Sequence, residues 1–459
     1  MTKTLSLFLL FPLVVATNES RAAELWRRGE ASLQLSGSLR EIVLVTQQTD
    51  RDEFLKAIED NLLQCGLADF FASCPAFDRV GEREVGQSLT RLRTRLDLQM
   101  TPRLSASVSY DHELSAGGID TLEVGLGRSV ASDSFLGAEH DILDRENVRW
   151  RHLLYRAYLQ FEGVHLEGVV GRQRVAWGVA RLWNPIDRFN PVPPLAVEAD
   201  QSGGVDAVDL KWIIDGLHFA EVVYAPGTSR DEARYALRLH AVLFDTDLSL
   251  MGGVFEKAPT AGFDLSRNLG DAALNLEVVY TDPEHDVWPV GAVGPREPDP
   301  FWQVAVSIDR NVDLGSGLYL LVEHLYNGNA LGFGRGRAGP LLPFFESTHD
   351  PPVPLPAPAP PGPFVRPASV DVFGSSGVIS RAGHQTALEL GYDLTPELRL
   401  DLLTIFDWNG ESAAFFPFLR YSPLGWLELT LGTQYFVGPR LSEYGGAEDL
   451  VYLLTEVFF

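Results

Sequence analysis

The sequence predicts an all-β fold: a single antiparallel transmembrane β-barrel of about 16–18 strands, with short periplasmic turns and long extracellular loops. Three observations predict it. Segment after segment alternates apolar and polar residues with a period of two. Tight turns alternate with long connections. The chain opens on an export signal and closes on a strand ending in Phe459.

The export signal comes first. Lys3 precedes an apolar run from Leu5 to Val15, followed by small residues. A helix needs about 20 apolar residues to cross about 30 Å of hydrocarbon, so this run reads as a secretory signal over residues 1–23 and not as a span. Cleavage after Ala16, Ala22 or Ala23 satisfies the pattern equally, and the lack of a cysteine beside these positions argues against a lipoprotein. No other apolar run of spanning length follows. Lipid satisfies no backbone polar group, so a membrane chain without helical spans must be a closed barrel. A soluble exported β protein meets the same observation, and the strands decide between them.

In Leu89 to Gln99 one parity reads Leu92, Thr94, Leu96, Leu98 and the other Arg91, Arg93, Arg95, Asp97, Gln99. Tyr235, Leu237, Leu239, Ala241 and Leu243 alternate with Arg234, Arg238 and His240; Leu398, Leu400 and Leu402 alternate with Arg399 and Asp401. Such strands present one face to lipid and one to a polar lumen. Turn residues stand at Thr101-Pro102, Glu162-Gly163, Asp215-Gly216, Asp245-Thr246, Thr395-Pro396 and Ser422 to Gly425, with long segments near 45–85, 112–148, 177–203, 282–299 and 328–380. Strand starts fall near Ser32, Gln87, Leu104, Trp150, His165, Val205, Leu217, Tyr235, Leu248, Gly262, Ala272, Phe301, Leu318, His384, Leu398, Phe415, Trp426 and Leu450. That makes about 18, an even number, or about 16 if the weakest segment near Gly262 and a neighbour fail. Trp212, Tyr224, Trp302, Tyr392, Trp408 and Trp426 stand near strand ends, where interfacial girdles form.

Within the first long loop, Phe54, Leu55, Ile58, Leu62 and Leu63 recur at helical spacing, so a short amphipathic helix is expected there. Cys65 and Cys74 follow it, and export makes a disulfide between them the expected state. The Pro-rich run from Pro351 to Pro363 reads as an extended lid or tether within the 328–380 loop.

The formal net charge of -25 argues against a nucleic-acid partner, because phosphate binding needs a basic face. There is no CxxCH for covalent haem and no metal spacing, so no cofactor or metal is expected. Scattered histidines and the lack of a GxSxG elbow argue against an enzyme. The inward parity supplies candidate pore-lining residues: Arg91, Arg93, Arg95, Arg156, Arg234, Arg238 and Arg399, with Asp97, Glu221, Glu323, Glu389 and Asp401 interspersed. Arginines so placed either favour anions or pair with the acids across the lumen, and pairing is the more frequent fate of buried charge.

One motif stands apart: Gly171-Arg172-Gln173-Arg174-Val175-Ala176-Trp177-Gly178, then Leu182-Trp183-Asn184-Pro185-Ile186-Asp187-Arg188-Phe189-Asn190-Pro191. Arg172 and Arg174 are suited to carboxylates at the barrel mouth, Trp177 to anchoring, and the prolines to stiffening the chain around Asn184, Asp187 and Phe189. The loop either folds inward as a constriction or caps the rim. The motif resembles an uncharacterised family of Gram-negative outer-membrane barrels, similar in look to alginate-export and other porin-like channels. Phe416 to Tyr421 and Leu431 to Phe436 extend that resemblance, which covers about the last two-thirds of the chain. It implies a barrel with a channel-like role and no catalytic residues.

The expected function is therefore an outer-membrane channel for small, anionic solutes. The alternative is a barrel that sheathes a partner such as a multihaem cytochrome, which would bring in a periplasmic or extracellular protein. Expected partners otherwise are lipid, lipopolysaccharide and the barrel assembly machinery, whose recognition signal the final strand ending at Phe459 resembles.

Overall fold

The structure, a computed structural model, describes residues 22–49, 82–117, 135–145, 147–192, 194–198, 203–282, 300–328, 380, 382–439, 442–445, 447 and 449–459. The export signal, the expected helix, Cys65, Cys74 and the Pro-rich run lie outside these residues. The described residues contain strands and no helix.

The strands are β1 (Ala23–Arg28), β2 (Ala31–Thr49), β3 (Glu82–Thr101), β4 (Leu104–Gly117) and β5 (Glu139–Arg145). Next come β6 (Val148–Glu162), β7 (Leu166–Gln173), β8 (Val205–Ile213), β9 (Phe219–Ala225) and β10 (Arg234–Leu243). Then follow β11 (Thr246–Phe255), β12 (Ala258–Leu269), β13 (Ala272–Thr281), β14 (Phe301–Val312) and β15 (Leu318–Asn327). The last five are β16 (His384–Thr395), β17 (Leu398–Asp407), β18 (Ser412–Leu424), β19 (Leu427–Val437) and β20 (Leu450–Phe458).

Eighteen of these close an antiparallel barrel, each pairing with the next around the ring. Closure joins β2 to β20 from Ser38↔Phe458 to Thr46↔Leu450. The terminal residue completes the seam: Gly37 N donates to Phe459 O at 2.8 Å, and Phe459 N donates back to Gly37 O at 3.0 Å. The Phe459 ring lies over Gly37, where a Cβ would stand 2.7 Å from ring carbon Cζ. Glycine is required there by close approach.

The two strands outside the ring were not expected from sequence. β1 pairs with β2 through Ala31 to Leu35, on the stretch of edge beyond the end of β20. β5 pairs with the upper part of β6, through Val148 to Leu153, while β7 takes the lower part, through Ala157 to Glu162. β5 thus extends the wall where β7 has already ended. The segment expected as a 112–148 loop is shortened by the end of β4 and by this strand. The segment near Gly262 is a regular strand, β12, paired along its length with β11 and β13.

Alternation sets the two faces. Leu92, Leu96, Leu237, Leu239 and Leu250 are exposed on the lipid side, while Arg91, Ser107, Ser109, Asp111, Asp264, Asn275 and Gln303 are buried on the lumen side. Trp150, Tyr224, Tyr235, Trp302, Tyr326, Trp408 and Tyr435 are exposed near the loop ends of their strands, as an interfacial girdle requires. The tightest turns use positive φ at both central residues, Phe244-Asp245 at the periplasmic end and Glu256-Lys257 at the opposite end. Both match the twist of a hairpin.

Candidate pore and its inward connection

The connection between β7 and β8, from Arg174 to Gly204, builds the interior. Its own residues shape it first. Asn184 accepts from Asp187 N through Oδ1 at 3.0 Å and donates from Nδ2 to Trp177 O at 2.7 Å. Asp187 Oδ1 accepts from Asn190 N at 3.0 Å, and Asn190 Oδ1 accepts from Val175 N at 2.8 Å. The short polar side chains of the Asn-Pro motif thus stand in for backbone partners that an irregular segment lacks. Gly178 is forced by its φ of +94° and by the approach of Glu277 Oε1 to 2.5 Å of where a Cβ would be.

The segment is then held against the inner wall. Glu277 on β13 accepts hydrogen bonds from Val179 N at 2.6 Å, Ala180 N at 2.7 Å and Ile186 N at 3.1 Å. Glu323 on β15 accepts from Arg181 N at 2.8 Å, Leu182 N at 3.1 Å and Trp183 N at 2.6 Å. Arg188 Nη2 donates to Thr281 Oγ1 at 2.7 Å and Gln303 Oε1 at 3.0 Å. At the far end Glu198 receives Arg91 Nη1 and Nη2 at 2.7 and 2.8 Å and Arg40 Nη1 at 3.1 Å, while Gln434 Nε2 donates to Leu195 O at 2.8 Å.

Apolar packing follows the same path. Val175, Trp177, Ile186 and Phe189 pack with Val205, Ala207, Val223, Ala225, Met251 and Phe255 on β8, β9 and β11. Trp183 packs with Ala305, Leu325, Ala387, Ile405, Phe416 and Tyr444, and Val197 packs against Ile42, Leu44, Leu89 and Tyr452. Trp177 and Phe189 meet edge to face at 5.3 Å, and Trp177 Nε1 donates to Glu221 Oε1 at 3.1 Å. Burial pushes the Asp187 carboxyl up to about 7, against the opposing pull of main-chain donors at Asn190 and Phe189 and of the Arg174 charge. Burial acts upward on Glu198 too, but Arg91 and Arg40 outweigh it and hold that carboxyl below its usual range.

The candidate arginines separate into distinct environments. Arg91 is buried under the connection, on Glu198 and on Glu113, whose Oε1 accepts from Nε at 2.6 Å. Arg93 forms a fork with Asp111 at 2.6 and 2.7 Å. Arg95 pairs with Asp97 at 2.8 Å beside a polar recess of about 360 Å³ lined also by Ser32, Gln34, Ser107, Tyr158 and Gln160. Arg234 meets Glu256 at 3.1 Å and donates to Phe189 O at 3.1 Å; Arg238 donates to Ser249 Oγ at 3.0 Å; Arg399 pairs with Asp401 and Asp393 at 2.9 and 3.2 Å. Arg172 forms a buried pair with Asp206 at 3.1 Å. Arg174 is exposed, with no ion pair or hydrogen bond among the described residues. Arg156 has Arg93, Arg172 and Arg174 as its electrostatic neighbours.

A bulge in β6, between the pairings of Arg156 with Ser109 and Leu154 with Tyr110, re-aims Tyr155. Its ring is faced by the Arg93 guanidinium at 3.5 Å and the Arg156 guanidinium at 4.3 Å. Sequence reading missed Tyr155, Glu198 and Glu277. Glu277 carried a signal, since it shares the inward parity of Asn275 and Val279 on β13; Glu198 and the bulged Tyr155 sit outside any alternation.

No family model matches the chain, and no curated protein does. Solved structures do. Acinetobacter baumannii OccAB1 matches over 96% of this chain and 98% of its own, at TM-score 0.51 and 8% identity. Pseudomonas aeruginosa OccK8 (OprE) matches over 93% and 98%, at TM-score 0.50 and 10% identity. The chain shares the closed-barrel fold of these two proteins. At such identities the likeness is one of architecture, and it does not reach the narrower kinship with alginate-export channels that the motif suggests.

Proposed function

We propose that this porin-like barrel passes small anionic solutes across the outer membrane. The reading rests on the unequal lining of the lumen. A barrel of this size leaves an aqueous interior unless something fills it. The 174–204 connection narrows that interior by packing against the inner wall, where Arg93 and Arg156 face Tyr155 and Arg174 is an electrostatic neighbour of Arg156. Fixed positive charge in a narrow lumen concentrates anions. Arg93 and Arg172 have carboxylate partners within contact distance; Arg174 supplies the charge that reaches solutes.

The sheath alternative draws no support from this arrangement, because the chain's own connection already runs along the inner wall. No enzymatic role is proposed. The test is conductance of the purified barrel in a planar bilayer under a salt gradient. An anion-selective reversal potential that moves toward cation selectivity in an Arg93→Gln, Arg156→Gln, Arg174→Gln triple variant supports the reading. Unchanged selectivity overturns the anionic part, and a barrel that never conducts overturns the channel.

A further inference from the structure

Two rows of paired residues cross the inner wall at its periplasmic end, over β2, β3, β4 and β6. One runs Ser32, Gln99, Ser105, Gln160, and the other Gln34, Asp97, Ser107, Tyr158. Neighbouring strands stand about 4.8 Å apart and alternate residues of one strand about 7 Å apart, so the rows cover about 14 by 7 Å. β4 contributes only serines to them, while β3 and β6 contribute longer side chains on either side. The recess of about 360 Å³ beside Arg95 therefore has β4 as its floor. Its volume falls in the range of small-molecule sites, about 300–1,000 Å³.

The polar groups of this recess are incompletely satisfied. Ser107 is 5% exposed and Ser32 8%, and neither hydroxyl has a hydrogen-bond partner among the described residues. The Gln34 amide and the Tyr158 hydroxyl have none among them either. Gln99 Nε2 donates to Thr101 O and Gln160 Nε2 donates to Glu162 Oε1, which leaves each carbonyl oxygen as an acceptor. Arg95 Nε donates to Asp97 Oδ1 and Oδ2 at 3.0 and 2.8 Å. The recess thus holds one charge of each sign in contact, and an anion gains no net attraction from that pair. Its unused groups are donors and acceptors in equal measure, and buried polar groups left without partners are costly.

We infer that this recess is a binding site for a neutral polyhydroxylated solute of monosaccharide size. Each hydroxyl of such a molecule both donates and accepts, as the serine hydroxyls do. Neighbouring hydroxyls match the free N–H groups of Arg95 and the remaining lone pairs of Asp97. Tyr158 adds an aromatic ring, an apolar surface for the C–H face of a sugar, with a hydroxyl at its tip. The site is distinct in charge from the arginines around Tyr155 and does not rest on the anionic reading of the channel.

The test is saturation-transfer NMR on the purified full chain, in a detergent without a sugar headgroup, with D-glucose as the probe. Transfer to the glucose protons that persists when acetate is added in excess supports the inference. Gln34→Leu with Ser107→Val should weaken glucose binding about tenfold, because two hydrogen-bonding groups are lost. Heat-modifiable gel migration, the mark of a folded barrel, should be unchanged. Absence of transfer overturns the inference, and so does displacement by acetate, which would place glucose at the arginines. Undiminished binding in the folded double variant overturns it as well. If that variant fails to fold, Ser107→Thr takes its place with the same readings, since its added methyl fills the floor. The measurement needs no current, so its failure is separate from failure of the barrel to conduct.

Discussion

The carboxylate of Glu323 accepts a hydrogen bond of 2.6 Å from the backbone nitrogen of Trp183, a residue 140 positions earlier in the chain. Glu323 belongs to the wall and Trp183 to the connection that crosses the interior. With Arg181 and Leu182 donating to the same carboxylate, and with Glu277 receiving Val179, Ala180 and Ile186, the wall supplies acceptors for six main-chain donors that have no strand to join.

Removing those acceptors should release the connection without unfolding the barrel. Each buried donor left unpaired costs about 1–3 kcal/mol. Glu323→Ala and Glu277→Ala should therefore give noisier, larger single-channel conductance and faster proteolysis within residues 174–204, while heat-modifiable gel migration persists. Conductance and protease resistance equal to the parent in both variants would show that the anchors are dispensable.

Arg91, a candidate for the pore lining, and Arg174, a candidate of the motif loop, should behave oppositely. Arg91 is locked between Glu113 and Glu198, and breaking a buried ion pair from one side costs about 3–5 kcal/mol. Arg91→Gln should lower thermal stability and leave ion selectivity nearly untouched. Arg174→Gln should shift the reversal potential toward cations with little change in stability. Thermal melts and reversal potentials on the two single variants separate these outcomes.

Asp187 should make the packing of the connection pH-dependent. Its folded-state pKa, raised to about 7 by burial, exceeds the ordinary value of 3.8, so the packed state binds the proton more tightly than the released state. Packing is then favoured at low pH and weakens as pH rises from about 4 to about 7, above which the effect is constant. Glu198 acts in the reverse sense: its lowered pKa makes its anchor complete at neutral pH and lost only in acid. Between pH 6 and pH 8 the Asp187 contribution should favour quieter conductance at the lower pH. Asp187→Asn should reduce that dependence, and single-channel recordings across the range check it.

The Phe244-Asp245 turn carries two left-handed residues, at φ of 54° and 57°, neither of them glycine. A left-handed conformation costs a residue with a Cβ about 1–2 kcal/mol, and Asn-Gly is the sequence this turn prefers. Phe244→Asn with Asp245→Gly should raise barrel stability by about 1 kcal/mol, read as a shift in the urea midpoint of refolding into detergent micelles. The turn lies at the periplasmic end, away from the connection, so conductance should not change.

The ring itself was legible in the sequence. Each of the eighteen strands that close it begins close to the position its alternation indicates, because a strand with lipid on one side and a polar lumen on the other must change character at every residue. β1 and β5 escaped that reading for the same reason: they lie beside the ring and not in it, and Glu139-His140-Asp141 on β5 has no apolar face to declare. The chain also contains its own closing residue, Phe459, but not the fact that its partner is Gly37. The course of the 174–204 connection belongs to the tertiary structure alone. Its motif predicts stiffness and local capping, and both an inward and a rim position satisfy those. Its position is decided by Glu277, Glu323, Arg91 and Arg40, which lie far from it in sequence. A carboxylate on β13 or β15, five or seven strands beyond β8, selects a loop conformation only once the wall that carries it has closed. The same distance explains the arginines. Alternation assigns Arg91 and Arg93 to one face of a strand, yet which of them meets a carboxylate under the connection and which turns toward Tyr155 depends on where the other walls stand.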